Sequence, residues 1–169
     1  DIFLVSVVSN ALYWMDHPTN IRALIQTENN LIAMNTGMIQ YYDAPDIQKR
    51  ITEIIDILKF DHIDQENLYC IRSRGSSSKR TIARIHGLGR VWQTALDMKP
   101  TYIIEVIHEQ FDYYPPKSQD RTLIHELMHI PQTAKGGFRH HKDHVTHENV
   151  ETWYKRYVQR RKELGFDKV

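Results

Sequence analysis

The chain has 169 residues, 41% of them apolar and 25% charged, with a formal net charge of +1 at pH 7. That length suits one domain with a real core and is short for two, and the composition is that of an ordinary soluble globular protein rather than a disordered or fibrous one. The single cysteine, Cys70, excludes an internal disulfide framework and points to a reducing, cytoplasmic setting.

The apolar run "IFLVSVVSNALYWM" at residues 2 to 15 falls short of the roughly 20 residues that a spanning helix needs. It also lacks the basic flank that opens a signal peptide, so no membrane association is expected. Residues 1–37 carry no Lys, one Arg (Arg22) and no clean periodicity after Trp14, which reads as an N-terminal extension. Organised sequence begins near Met34 and Met38, either of which marks a candidate start, and residues 38–169 form the expected domain. In "APDIQKRITEIIDILKF", Ile47, Ile51, Ile54, Ile55 and Leu58 recur at helical spacing, with Pro45 in the first turn. "ENLYCIRSR" predicts a strand around 67–73, with Cys70 as a buried, inert thiol. After the turn "GSSSKR", a strand is expected near 81–85, a break at Gly87 and Gly89, and a short helix over 89–97. "TYIIEVIHEQF" gives the clearest strand, 102–107, with Glu105 on a solvated face. "DYYPPKSQD" is a turn with Ser118 as the expected N-cap of a helix over 119–130, stopped by Pro131. A Gly136-Gly137 loop and a last helix over 145–163 complete the chain. The order of elements predicts an α+β fold with a short, mainly antiparallel sheet.

Six of the ten histidines fall within "TLIHELMHIPQTAKGGFRHHKDHVTHE", residues 122–148. His125 and His129 are one helical turn apart on one face, so both imidazoles can reach a single zinc ion. Glu126 beside them can take a proton from metal-bound water. This is the H-E-x-x-H pattern of zinc metallopeptidases. A catalytic zinc needs a third protein ligand and an open position. The metzincin continuation is absent, because Lys135 stands where its third histidine would be. His141 is preferred, since the double glycine lets the chain turn back sharply beneath the metal. His140 and His144 remain alternatives, and Glu148 would serve in a thermolysin-like arrangement.

From about Met38 to Tyr157 the chain resembles a family of archaeal and phage metallopeptidases that share a zincin-type core with the SprT-like proteases. The resemblance is carried by "SRGSSSKRTIARIHGLGRVWQTAL", "YIIEVIHEQFD" and "LIHELMHIPQTAKGGFRHH". The family pattern ends Gly-Gly-Leu-Arg-Pro-His, which places its final histidine on His141; here Phe138 replaces the Leu and His140 the Pro. The resemblance implies peptidase activity on a protein or peptide. Zinc lowers the pKa of its water to about 7, and Glu126 acts as general base and then general acid. The developing oxyanion needs a further stabiliser, for which Arg139, Tyr154 and Tyr157 are candidates. Strand 102–107 is the expected edge for substrate pairing, as in zincin folds.

A rival reading starts from charge. Residues 67–96 contain no acid but hold Arg72, Arg74, Lys79, Arg80, Arg84 and Arg90. With Lys155, Arg156, Arg160, Arg161 and Lys162 they could face nucleic acid. The protein would then be a DNA-binding module with a structural zinc, or a DNA-tethered protease. His62, His86 and His108 are scattered and not expected to be ligands.

Overall fold

In a computed structural model the described residues are 38–166; the extension expected over 1–37 lies outside them. The first strand, β1 (Gln40–Asp43), leads directly into helix α1 (Pro45–Leu58). Proline at the first turn presets that helix, and Lys59 in the left-handed conformation (φ 58°) ends it. The isoleucines that set its period, with Leu58, are all buried. A 3-10 turn at Gln65–Asn67, capped by the Asp64 side chain, delivers β2 (Leu68–Arg74). Then follow β3 (Ala83–Gly87), helix α2 (Arg90–Leu96) and β4 (Tyr102–Ile107). A four-residue helix, α3 (His108–Phe111), precedes α4 (Pro116–Met128), and α5 (His147–Glu163) closes the fold. Thr146 caps α5 by accepting from the Asn149 N–H at 3.2 Å.

The architecture is α+β. The four strands lie in the order β1-β2-β4-β3. The sheet is mixed: β2 and β4 pair in parallel, Leu68 opposite Tyr102 and Ser73 opposite Ile107, while β3 runs antiparallel to β4. The β2–β4 crossover contains β3 and α2, which allows the parallel pairing that a simple meander would not. Strand 102–107 is therefore internal, and the edge nearest α4 is β3. Alternation sends Leu68, Cys70, Tyr102, Ile104, Val106 and Ala83 into one core with α1, α4 and α5. Leu123, Ile124 and Leu127, fully buried, fix α4 against this core and so fix the rotation of its histidines.

Three local expectations change. Helix α4 starts at Pro116 rather than at a Ser118 cap; Pro115 precedes it, and Ser118 sits inside the first turn, its carbonyl accepting from Thr122 Oγ1 at 3.0 Å. A proline at the first helical position needs no donor, so no polar cap is required there. Glu105 is not solvated: it is 1% exposed, with His86 Nε2 2.7 Å from its Oε2. The antiparallel register brings Arg84 opposite Glu105, and its guanidinium lies 3.5 Å from the carboxylate. The pairing makes the burial of that carboxylate tolerable. Cys70 is buried as expected, and its thiol is pushed up to about 12 by burial, which removes it from nucleophilic chemistry near neutral pH.

Candidate metal centre

Helix α4 ends at Met128, two residues before the expected stop, yet His129 keeps helical backbone angles (φ −68°, ψ −21°). The i, i+4 relation to His125 is thereby preserved. The Ile130 N–H reaches back to the Leu127 carbonyl at 3.1 Å, tightening the last turn before Pro131. The chain then turns twice, through Ala134 at φ 43° and Gly136 at φ 87°. Two main-chain contacts bring it home: the Arg139 N–H donates to the His129 carbonyl at 2.8 Å, and His129 Nδ1 lies 2.7 Å from the Arg139 carbonyl.

Tyr102 holds this loop from the sheet. Its hydroxyl accepts from the Gly136 N–H at 2.9 Å and donates to the Gly137 carbonyl at 3.1 Å. A Cβ on Gly136 would collide with the Gln93 side chain and come within 2.9 Å of the Leu88 carbonyl. The double glycine is thus needed both for its backbone angle and for its lack of bulk. Sequence reasoning found the glycines but not Tyr102, whose only signal is an aromatic hydroxyl at the start of a core strand.

The result is a cluster of three imidazoles. His125 Nε2 lies 3.2 Å from His129 Nε2 and 3.2 Å from His141 Nε2. Among the described residues these three are the group of potential ligands close enough to hold one metal ion. The fit can be tested against zinc chemistry. Tetrahedral bonds of 2.0–2.1 Å put ligand nitrogens about 3.3–3.4 Å apart, close to the separations observed. The tautomer agrees: a carbonyl faces His129 Nδ1, so that nitrogen carries the proton and Nε2 presents its lone pair to the cluster. The imidazoles also resist protonation. Burial, then the neighbouring His129 and His141, lower the pKa of His125 to about 4, and burial lowers that of His129 as well.

Glu126 is 6% exposed and lines the same cleft. Burial raises its carboxyl to about 7, opposed by a hydrogen bond from the Ile85 N–H of β3. That donor is available because β3 alternates. Hydrogen bonds from Ile107 N–H to the Ile82 carbonyl and from Leu88 N–H to the Thr101 carbonyl mark the inward-facing positions. The backbone groups of Ala83, Ile85 and Gly87 therefore point away from β4.

The other candidates separate by position. His140 lines the cleft without joining the three-imidazole group. His144 borders a different cavity of about 460 Å³, with Phe60, His62 and Trp153. Glu148 is exposed on the first turn of α5. Arg139 lines the cleft, whereas Tyr154 and Tyr157 do not. The Tyr154 ring packs under Arg121, whose guanidinium carbon is 3.8 Å from the ring centre. The Tyr157 hydroxyl donates to Glu53 Oε1 at 2.8 Å, between α5 and α1. Both tyrosines are thus committed to helix packing rather than to an oxyanion. The basic stretch also divides. Arg72 is bound by Asp46 (2.9 Å) and Asp112 (3.2 Å), and Arg74 donates to His108 Nε2 at 3.0 Å, while Lys79 and Arg80 are exposed. The internal acids that hold Arg72 come from α1 and the end of α3, outside the acid-free run, so its charge count overstated the free surface. Arg121 and His147 line the cleft and were not singled out by sequence.

An α+β scaffold whose helix carries H-E-x-x-H, with a third imidazole folded back onto it, has the donor set and geometry of a metal-dependent hydrolase site. The comparison with known families agrees: residues 39–164 match the family described as "Putative phage metallopeptidase", and the chain belongs to that family. No curated protein matches it, and no solved structure does. Among the described residues no helix is long and apolar enough to cross a membrane.

Proposed function

We propose that the protein is a zinc-dependent endopeptidase in which His125, His129 and His141 hold the metal and Glu126 is the general base. The observation that carries the reading is the convergence of three Nε2 atoms at 3.2 Å spacing beside a buried carboxylate. Three imidazole donors suit zinc and leave one coordination position open, as a catalytic site requires and a structural four-ligand site does not. Bound there, zinc supplies Lewis acidity and brings the pKa of a water to about 7.

The protein's own residues do the rest. Glu126, adjacent in sequence to a ligand and held by the Ile85 N–H, accepts a proton from the attacking water and returns it to the departing amine. A dication at the imidazoles favours its carboxylate form, as a base requires. The outward backbone groups of β3 offer an extended peptide a strand to pair with, alongside Glu126. The single cysteine fits a cytoplasmic setting.

Glu126→Gln tests the assignment. The amide keeps the size of the side chain and leaves all three histidines, so zinc content should stay at one per chain. Hydrolysis of an unfolded protein substrate should fall about 10²–10⁴-fold. Wild-type rates in the zinc-loaded variant would remove Glu126 from the mechanism. If the wild type cleaves no substrate but binds DNA with a steep salt dependence, the nucleic-acid module is the better reading.

A further inference from the structure

The cleft beside the imidazoles, about 900 Å³, is lined by Arg80, Arg84, Arg121 and Arg139 but by only two carboxylates, Glu126 and Glu151. Two of these arginines are already engaged. Arg121 is ion-paired with Glu151, and Arg84 leans on the buried Glu105 at 3.5 Å. Among the described residues no carboxylate forms an ion pair with Arg80 or Arg139. The remaining acid of the cleft, Glu126, is buried beside the metal position. With a dication bound, the cleft therefore carries excess positive charge between low-dielectric walls, which concentrates its field on whatever enters.

The two unpaired guanidiniums are not randomly placed. Arg139 is anchored by main-chain hydrogen bonds to His129 of 2.8 and 2.7 Å, so its side chain starts next to a candidate ligand. Arg80 precedes β3 by three residues. At the other end of β3, a Cβ on Gly87 would lie 2.8 Å from the Phe138 ring and 3.3 Å from the Gly136 carbonyl. The loop thus closes the Gly87 end of the edge, and an extended chain paired along Ala83 and Ile85 leaves by the Arg80 end. One free guanidinium stands near the metal position and the other stands at that exit.

We infer that this cleft selects acidic peptides, with Arg139 reading a carboxylate close to the scissile bond and Arg80 one farther along the chain. The inference rests on the peptidase reading above and names its substrate class. Guanidinium suits the task because its planar fork takes a carboxylate in two parallel hydrogen bonds and stays charged at every working pH.

The test uses zinc-loaded Glu126→Gln protein and synthetic peptides of one scaffold carrying Glu, Gln or Lys around the bond that the wild type cleaves. Fluorescence anisotropy should show the Glu peptide binding about ten- to a hundredfold tighter than the Gln peptide, and the Lys peptide weakest. The preference should shrink with added salt. It should also shrink with Arg139→Gln or Arg80→Gln, and invert in the double Arg80→Glu, Arg139→Glu variant. Equal binding of the three peptides, or a preference untouched by both single variants, overturns the inference. A single-stranded DNA oligonucleotide that binds more tightly than the Glu peptide, and loses affinity in the same variants, assigns the arginines to nucleic acid and overturns it too. Wild-type turnover separates the roles of Arg139. A carboxylate reader raises KM for Glu peptides alone, whereas a uniform fall in kcat for all peptides makes it an oxyanion stabiliser and refutes the proposal at that residue. Hydrolysis without acid preference sinks the inference and spares the peptidase reading. Arginine-dependent acid binding without any hydrolysis does the reverse.

Discussion

Removing the metal should destabilise the fold as well as stop the reaction, and the size of the effect can be worked out. His125 and His129 sit at the end of α4, and His141 lies beyond a loop that packs on β3 and Tyr102. A metal shared by the three ties helix, loop and sheet together and binds only the folded chain. At free zinc a thousandfold above the dissociation constant, mass action contributes about 4 kcal/mol. A folded unit the size of residues 38–166 has an unfolding entropy of roughly 0.27 kcal/mol/K, at ~2.1 cal/mol/K per residue, so Tm should rise by ~15 °C. In His141→Ala, a hundredfold weaker site at the same free zinc retains about 1.4 kcal/mol, or ~5 °C. Glu148→Ala should keep the full shift. Differential scanning calorimetry in zinc and in chelator, with metal content measured on the same samples, decides the matter. An unchanged Tm after verified metal removal, or a larger loss in Glu148→Ala than in His141→Ala, refutes the reasoning.

Acid should destabilise the metal-free protein through the same imidazoles. The folded state lowers His125 from 6.5 to about 4, so below 6.5 the unfolded chain binds more protons; this stability is complete above pH 6.5 and is lost as pH falls towards 4. The contribution is at most ~3 kcal/mol, and a pH series of melts on His125→Gln in chelator should lack it; identical pH slopes would contradict the assignment. Tyr102→Phe orphans the Gly136 N–H and frees the Gly-Gly turn, which should cost ~1–2 kcal/mol and weaken zinc binding ~10-fold, as loss of a supporting contact does. Gly136→Ala should destabilise by more than ~1 kcal/mol, because φ is 87° and Leu88 leaves no room; denaturant melts check both variants.

Much of this was legible in the residues because the signals were local. The isoleucine period of α1, the run at 102–107 and the H-E-x-x-H spacing each sit within one element, and the double glycine announces a sharp return. What the sequence did not disclose was set by tertiary pairing. Nothing in "TYIIEVIHEQF" says that the strand lies between β2 and β3, so its expected role as the substrate edge passes to β3. Glu105 looks like a surface acid until the antiparallel register brings Arg84 opposite it and His86 Nε2 within 2.7 Å. Arg72 looks free until Asp46 and Asp112, 26 and 40 residues away in sequence, close on it. Strand β1 and helix α3, four residues each, are too short to show a period.

The central claim is a three-histidine metal centre that leaves one position open. X-ray absorption at the zinc edge, with anomalous diffraction from crystals of the zinc-loaded protein, addresses it directly. The account predicts one zinc per chain, bonded at about 2.0–2.1 Å to nitrogen atoms of His125, His129 and His141, with a non-protein oxygen completing the shell. A zinc held by Glu148 in place of His141, or closed by a fourth protein side chain, would contradict it.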